Sequence, residues 1–167
     1  MDEYDGLLYG QRVHAHGLLL DGRREGLWIG LYESGDTAYV DRYANGVLDG
    51  SSELFYPNGQ RSWIRFYVND IPRGLTMSWY ENGQIKYRAY FDEVKNDYFH
   101  GYYESYWENG EPETIGTYYR GYQAGEWLFF DSTGVLVKKI IYPDSNVVLG
   151  RVRSIDDFVN DTIYYRR

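Results

Sequence analysis

The stretch GLTMSWYENGQIKYRAYF, residues 74–91, consists of two runs rich in aromatic residues on either side of Glu81-Asn82-Gly83. Aromatic and β-branched side chains favour strands over helices. An Asn-Gly pair adopts positive φ at little cost, and turns of this kind match the twist of paired strands. The stretch therefore predicts a β-hairpin.

The same pattern recurs along the chain. Gly74 belongs to a series of glycines spaced by 24, 24, 27 and 24 residues, and a second glycine follows each of them by nine residues. The residue six positions after the first glycine is aromatic in four of the five copies, and Asp131 is the exception. Five copies in phase indicate a repeat protein. The first glycines are Gly26, Gly50, Gly74, Gly101 and Gly125, and the second are Gly35, Gly59, Gly83, Gly110 and Gly134.

Short turns also separate one unit from the next. Asn45-Gly46, Asn69-Asp70 and Arg120-Gly121 occupy equivalent places, each four residues before the next first glycine. Every strand can then pair with its neighbours in sequence. We therefore predict an all-β fold, an elongated single antiparallel sheet of tandem 24-residue β-hairpin repeats.

The repeat pattern also predicts the organisation of the chain. We expect a single repeat domain over residues 1–167, with five repeats in residues 26–145. Residues 7–25 form a partial N-terminal unit, because terminal repeats are commonly degenerate. Residues 146–167 form a C-terminal cap, and the sequence leaves open whether it is a short helix or an edge strand.

Composition excludes several classes of protein. Hydrophobic residues make up 43% of the 167 residues, which excludes disorder as the default, and the net charge of −8 disfavours nucleic-acid binding. The absence of cysteine excludes disulfides, thiol catalysis and Cys-ligated zinc. We find neither a signal-peptide pattern nor an apolar run near the ~18 residues that span a bilayer. A soluble, cytoplasmic protein is expected.

Catalytic and metal-binding patterns are sparse. His14 and His16 would share one face of a strand, a spacing that a metal site can use, but no third ligand is evident. Adjacent acids such as Asp156-Asp157 would point to opposite faces, so their spacing does not make a catalytic dyad. The glycine-rich phosphate loop and the nucleophile elbow are absent from the sequence. We predict no catalytic residues, no metal and no cofactor.

Residues 74–83, Gly-Leu-Thr-Met-Ser-Trp-Tyr-Glu-Asn-Gly, resemble the MORN-repeat variant, which has the form G-x-x-x-x-[YWF]-Y-x-N-G. The resemblance extends over about residues 20–145. It implies a binding role and brings no catalytic residues with it. Short acidic or neutral bacterial proteins of this family are often antitoxins or immunity proteins against a toxin of the same cell. Other members are scaffolds or bind membrane lipids.

Charge and aromatic content suggest where a partner would bind. Residues 1–60 hold ten acidic and four basic residues, either as a solubilising face or as a surface that steers a basic partner. The insertion at residues 92–100 breaks the period, either as a tolerated bulge or as a functional loop. Tyrosine is enriched at binding hot spots. The predicted partner-binding residues are Tyr32, Asp36, Tyr39, Asp41, Tyr43, Asp49, Glu53, Tyr56, Asp92, Glu93, Asp97 and Tyr98.

These observations and the resemblance predict an immunity protein or antitoxin that neutralises a cognate bacterial toxin by direct, non-catalytic binding. The alternative is a MORN-type scaffold or membrane-proximal protein, although anionic membranes would repel a chain of charge −8. An enzyme with a nonstandard site is the third hypothesis. The expected partner is a protein, basic if charge steers it, and neither nucleic acid nor membrane is expected. The sequence leaves open whether sheet edges pair into a homodimer.

Overall fold

A computed structural model of the chain describes residues 4–91 and 99–142. Its twelve strands form one antiparallel sheet in which each strand is hydrogen-bonded to its neighbours in the chain. No residue in the two described ranges is helical. The prediction of an all-β sheet of tandem hairpins is confirmed. The strands are β1 (Tyr4–Leu8), β2 (Gln11–Leu20), β3 (Arg23–Tyr32), β4 (Thr37–Ala44), β5 (Val47–Phe55), β6 (Arg61–Val68), β7 (Ile71–Trp79), β8 (Ile85–Phe91), β9 (Phe99–Tyr106), β10 (Pro112–Tyr119), β11 (Tyr122–Phe130) and β12 (Leu136–Tyr142).

The two-residue turns have the geometry that the sequence predicts. Asn45 and Gly46 have φ of 53° and 89°, and Arg120 and Gly121 have φ of 49° and 84°. Positive φ at both central residues defines the type I′ turn, whose twist matches that of the strands it joins. Asn69-Asp70 adopts the same signs without any glycine. These turns hold successive repeats in antiparallel register.

The first glycine of a repeat lies where the regular pairing of two neighbouring strands is interrupted. Ile115 of β10 pairs with Leu128 of β11 and Thr117 pairs with Ala124, so three residues of β11 oppose one of β10. Gly125 lies within this bulge and has φ of 63°. A side chain would strain that conformation, which explains why the glycine marks the phase of the repeat.

The chain divides into two compact units, and each unit has its own buried residues. Residues 1–73 and 78–84 form the first unit, and residues 74–77 and 85–167 form the second. The predicted single domain over residues 1–167 stays a prediction, and the predicted cap at 146–167 lies outside the described residues.

The first unit is strongly curved. The hydroxyl of Tyr9, in the turn between β1 and β2, donates to Oγ of Ser62 in β6 at 2.8 Å. In a flat sheet β2 and β6 would lie about 19 Å apart. Curvature therefore creates a small core on one face of the sheet. Its centre is Val13, Tyr32 and Ala38, all less than 5% exposed.

The second unit is built around Trp127, which is 1% exposed. Its ring lies 4.9 Å from that of Tyr118 and 5.7 Å from that of Tyr103, and its Nε1 donates to the carbonyl of Thr117. Trp28 holds the equivalent place in the first unit, where its Nε1 donates to the carbonyl of Leu18. Each tryptophan stands two residues after the first glycine of its repeat.

Candidate binding surface

One face of the first unit brings predicted site residues together. Trp28 pairs with Asp41 and Asp41 with Ser52 across β3, β4 and β5, so all three side chains project from the same face. Tyr39 and Tyr43 flank Asp41 along β4 on that face, and both are half-buried. We call this surface the Trp28 face. Three of the predicted partner-binding residues, Tyr39, Asp41 and Tyr43, lie on it, and a fourth, the buried Tyr32, projects from the same face of β3.

The carboxylate of Asp41 is the polar centre of the Trp28 face. It accepts a hydrogen bond from Oγ of Ser52 at 2.6 Å. Burial raises the pKa of Asp41 above its usual value, although the hydrogen bond from Ser52 and the charge of Arg24 both lower it. A half-buried carboxylate among aromatic rings is an acceptor of the kind that a cationic side chain of a partner could contact.

Arg24 links the aromatic residues of the Trp28 face. Its guanidinium lies 4.5 Å from the centre of the Trp28 ring and 5.2 Å from that of Tyr43. Its Nη1 donates to the hydroxyl of Tyr43 at 2.9 Å. Burial, followed by the charge of Asp41, raises the pKa of Tyr43. The cluster is therefore held in place by hydrogen bonds and stacking, which favours a rigid surface.

Three predicted acidic residues lie elsewhere. Asp36 accepts from Oγ of Ser34 in an exposed turn, and Asp49 accepts from the backbone N–H of Asn69 at 3.3 Å. Glu53 is one position from Ser52 on β5 and so projects from the opposite face, where it pairs with Arg61 at 2.8 Å. The structure therefore places these three predicted acidic residues away from Asp41 and does not bring the four together on one surface.

Two predicted tyrosines serve the fold. Tyr32 is 2% exposed, and its hydroxyl donates to the carbonyl of Phe55. Tyr56 donates to the carbonyl of Trp79 at 2.8 Å, and its ring lies 5.0 Å from that of Tyr9. Both hydrogen bonds reach 23 residues along the chain, into the next repeat. A binding role for these positions stays a prediction.

The remaining predicted positions lie in or near the insertion. Asp92, Glu93, Asp97 and Tyr98 fall outside the described residues. Across residues 4–91 and 99–142 there is no group of three or more His, Asp or Glu side chains placed to hold a metal ion. In the same ranges no helix is long and apolar enough to cross a membrane.

A buried polar cluster in the second unit was missed by sequence reasoning. Glu104, 6% exposed, accepts from Nη1 of Arg88 at 3.1 Å. Tyr102 and Tyr106 also hydrogen-bond to Glu104, and burial together with that carboxylate raises the pKa of each tyrosine to about 12. The sequence contained one indication that Glu104 has a structural partner. Glu104 stands three residues after Gly101, and Glu53, which also pairs with an arginine, stands three residues after Gly50.

Comparison with known proteins supports the repeat assignment. Two adjacent repeats match the MORN repeat variant. The matched residues are 73–93 and 99–118. They include all of β8 and β9 and most of β7 and β10. The two MORN-variant matches indicate a repeat-based binding scaffold and test no narrower role.

Other comparisons add little. No curated protein matches the sequence. A solved structure, "Crystal structure of GtfA/B complex bound to UDP and GlcNAc", aligns with 82% of this chain and 24% of that chain, at 9% identity and a TM-score of 0.27. This chain thus spans about a quarter of the length of that chain. A likeness this weak says nothing about activity.

Proposed function

We propose that this protein is an immunity protein or antitoxin, a non-catalytic binding module that neutralises a cognate bacterial toxin in the cytoplasm by direct contact. The observation that carries the proposal is the Trp28 face. Tyr39 and Tyr43 flank the half-buried carboxylate of Asp41 there, and stacking and hydrogen bonds hold the cluster rigid. Rigid aromatic area beside a fixed charge is characteristic of binding hot spots.

Charge supports a basic partner. Residues 1–60 carry −6 of the net charge of −8. A negative surface accelerates encounter with a positive partner and disfavours negatively charged ones. A toxin that acts on nucleic acid would have the required basic surface.

The test is binding between this chain and the protein encoded by the neighbouring gene. We expect a stable complex at micromolar concentration and rescue of cells that express the toxin. The association rate should fall as ionic strength rises, because salt screens the steering field. No complex at micromolar concentration would contradict the proposal.

A matched pair of variants locates the contact. Asp41→Asn keeps the shape of the side chain and removes its charge, and it should weaken binding by about tenfold, or about 1.4 kcal/mol. Asp36→Asn removes the same charge from an exposed turn away from the Trp28 face and should leave the affinity within about twofold. Equal effects of the two variants would show that general charge, and not this face, determines binding.

The second candidate is a scaffold or membrane-proximal protein, which is also compatible with the two MORN-variant matches. Vesicle flotation distinguishes a membrane role from the antitoxin role. A chain of charge −8 should stay with the soluble fraction when mixed with anionic vesicles. Flotation with the vesicles would favour the membrane role over the antitoxin role.

A further inference from the structure

A small groove lies on the second unit, on the sheet face that carries Ile115 and Leu128. Its volume is about 270 Å³. Sites for drug-sized ligands measure roughly 300–1,000 Å³. At about 270 Å³ the groove lies just below that range and has room for one long side chain.

The groove results from the bulge between β10 and β11. Three residues of β11 oppose one of β10 there, and the extra backbone at Gly125 opens the ladder. Trp127, which follows Glu126 and precedes Leu128, projects from the opposite face. Its ring covers Gly116 on that side. The floor of the groove is consequently backbone, with no large side chain to fill it.

The groove is lined by apolar residues and one acidic residue. Ile115 and Leu128 supply aliphatic surface, and Tyr102 and Glu126 complete the lining. Glu126 pairs with Nζ of Lys139, and each side chain of this pair is 48% exposed. Such an exposed ion pair contributes only about 0–1 kcal/mol, so another cation can replace Lys139 at little cost.

We propose that this groove binds the alkylammonium side chain of a lysine from a partner protein. The aliphatic stem packs against Ile115 and Leu128, and the ammonium group contacts the carboxylate of Glu126 near the ring of Tyr102. The ion pair with Lys139 shows that the carboxylate of Glu126 accepts an ammonium group. The inference deepens the proposed function and rests on it for the source of the lysine, since a basic partner would supply that side chain.

The test uses the chain alone, titrated with n-butylammonium chloride and followed by the amide resonances of Thr117 and Ala124. Saturable shifts in the millimolar range are expected, with 1-butanol about threefold to fivefold weaker because it lacks the charge. Sodium chloride keeps the ionic strength equal in both titrations. Equal binding of the alcohol and the ammonium ion would overturn the proposal.

Three variants sharpen the test. Glu126→Gln should weaken butylammonium binding by about threefold to fivefold. Lys139→Met should strengthen it, because the competing ammonium is gone. Both side chains are half-exposed, so both variants should fold. Glu81→Gln, an exposed change in the first unit, should alter nothing. An unchanged affinity in Glu126→Gln would refute the assigned contact.

The two proposals fail separately. A chain that binds butylammonium but no toxin would refute the proposed function and keep the groove as an alkylammonium site. A toxin complex unaffected by Glu126→Gln would keep the proposed function and overturn the groove as the site of the partner's lysine.

Discussion

The indole of Trp127 covers Gly116 so closely that a Cβ on the glycine would collide with ring carbons. The same relationship joins Trp28 to Gly17 in the first unit. In both pairs the indole Nε1 donates to a carbonyl of the strand that carries the glycine, at 3.1 and 3.2 Å. Two distant parts of the chain thus use one packing solution.

Gly116→Ala should destabilise the protein by about 1–3 kcal/mol, the usual effect of overpacking a buried site. Urea unfolding followed by tryptophan fluorescence measures it. In the double variant Gly116→Ala with Trp127→Leu, the loss should be smaller than the sum of the two single losses, because the smaller side chain leaves room for the methyl group. Strict additivity would show that the two residues are not in contact.

Glu104→Gln should destabilise the protein by about 2–3 kcal/mol, because it removes the charge that pairs with Arg88 in a buried site. Glu53→Gln is the matched control, since Glu53 occupies the same position in its repeat and pairs with an arginine that is 45% exposed. We expect it to cost less than about 1 kcal/mol. The melting temperatures of the two variants compare how much the Glu104–Arg88 and Glu53–Arg61 ion pairs contribute to stability.

Alkaline pH should destabilise the fold. Tyr32, Tyr102 and Tyr106 each have a pKa raised from 10.0 to about 12, mainly by burial. Because the folded pKa lies above the unfolded one, the stability due to these groups is fully present below pH 10 and is lost as the pH rises towards 12. Unfolding in urea at several pH values, with phenolate absorbance at each, measures the loss. Tyr102→Phe with Tyr106→Phe should flatten the decline, and an equally steep decline would contradict this assignment.

Arg120→Asn should stabilise the protein by about 0.5–1 kcal/mol. Arg120 has φ of 49° in a type I′ turn, a conformation that asparagine adopts more readily than arginine. The change also removes the contact of the guanidinium with the Tyr119 ring, at 5.3 Å, which is an exposed interaction of modest value. A lower melting temperature in the variant would mean that this contact outweighs the relief of backbone strain.

The amino-acid sequence by itself determined the repeats and the turns. Positive φ at Asn45-Gly46 and the bulge at Gly125 follow from the local preferences of a few residues, so the periodic glycines were enough to predict hairpins in chain order. The strands follow equally from their aromatic and β-branched residues. These features depend on neighbours in sequence, and the pattern of one chain contains that information.

Only the tertiary structure decided which side chains meet. Bulges and curvature accumulate over several strands, so the sequence pattern could not show that Tyr9 reaches Ser62. Alternation along β5 places Glu53 on the face opposite Asp41, although both are acids of the same region. The register sets Arg88 directly across from Glu104 and so gives this buried carboxylate its charged partner. Register between strands is a long-range property, and it determines the candidate site.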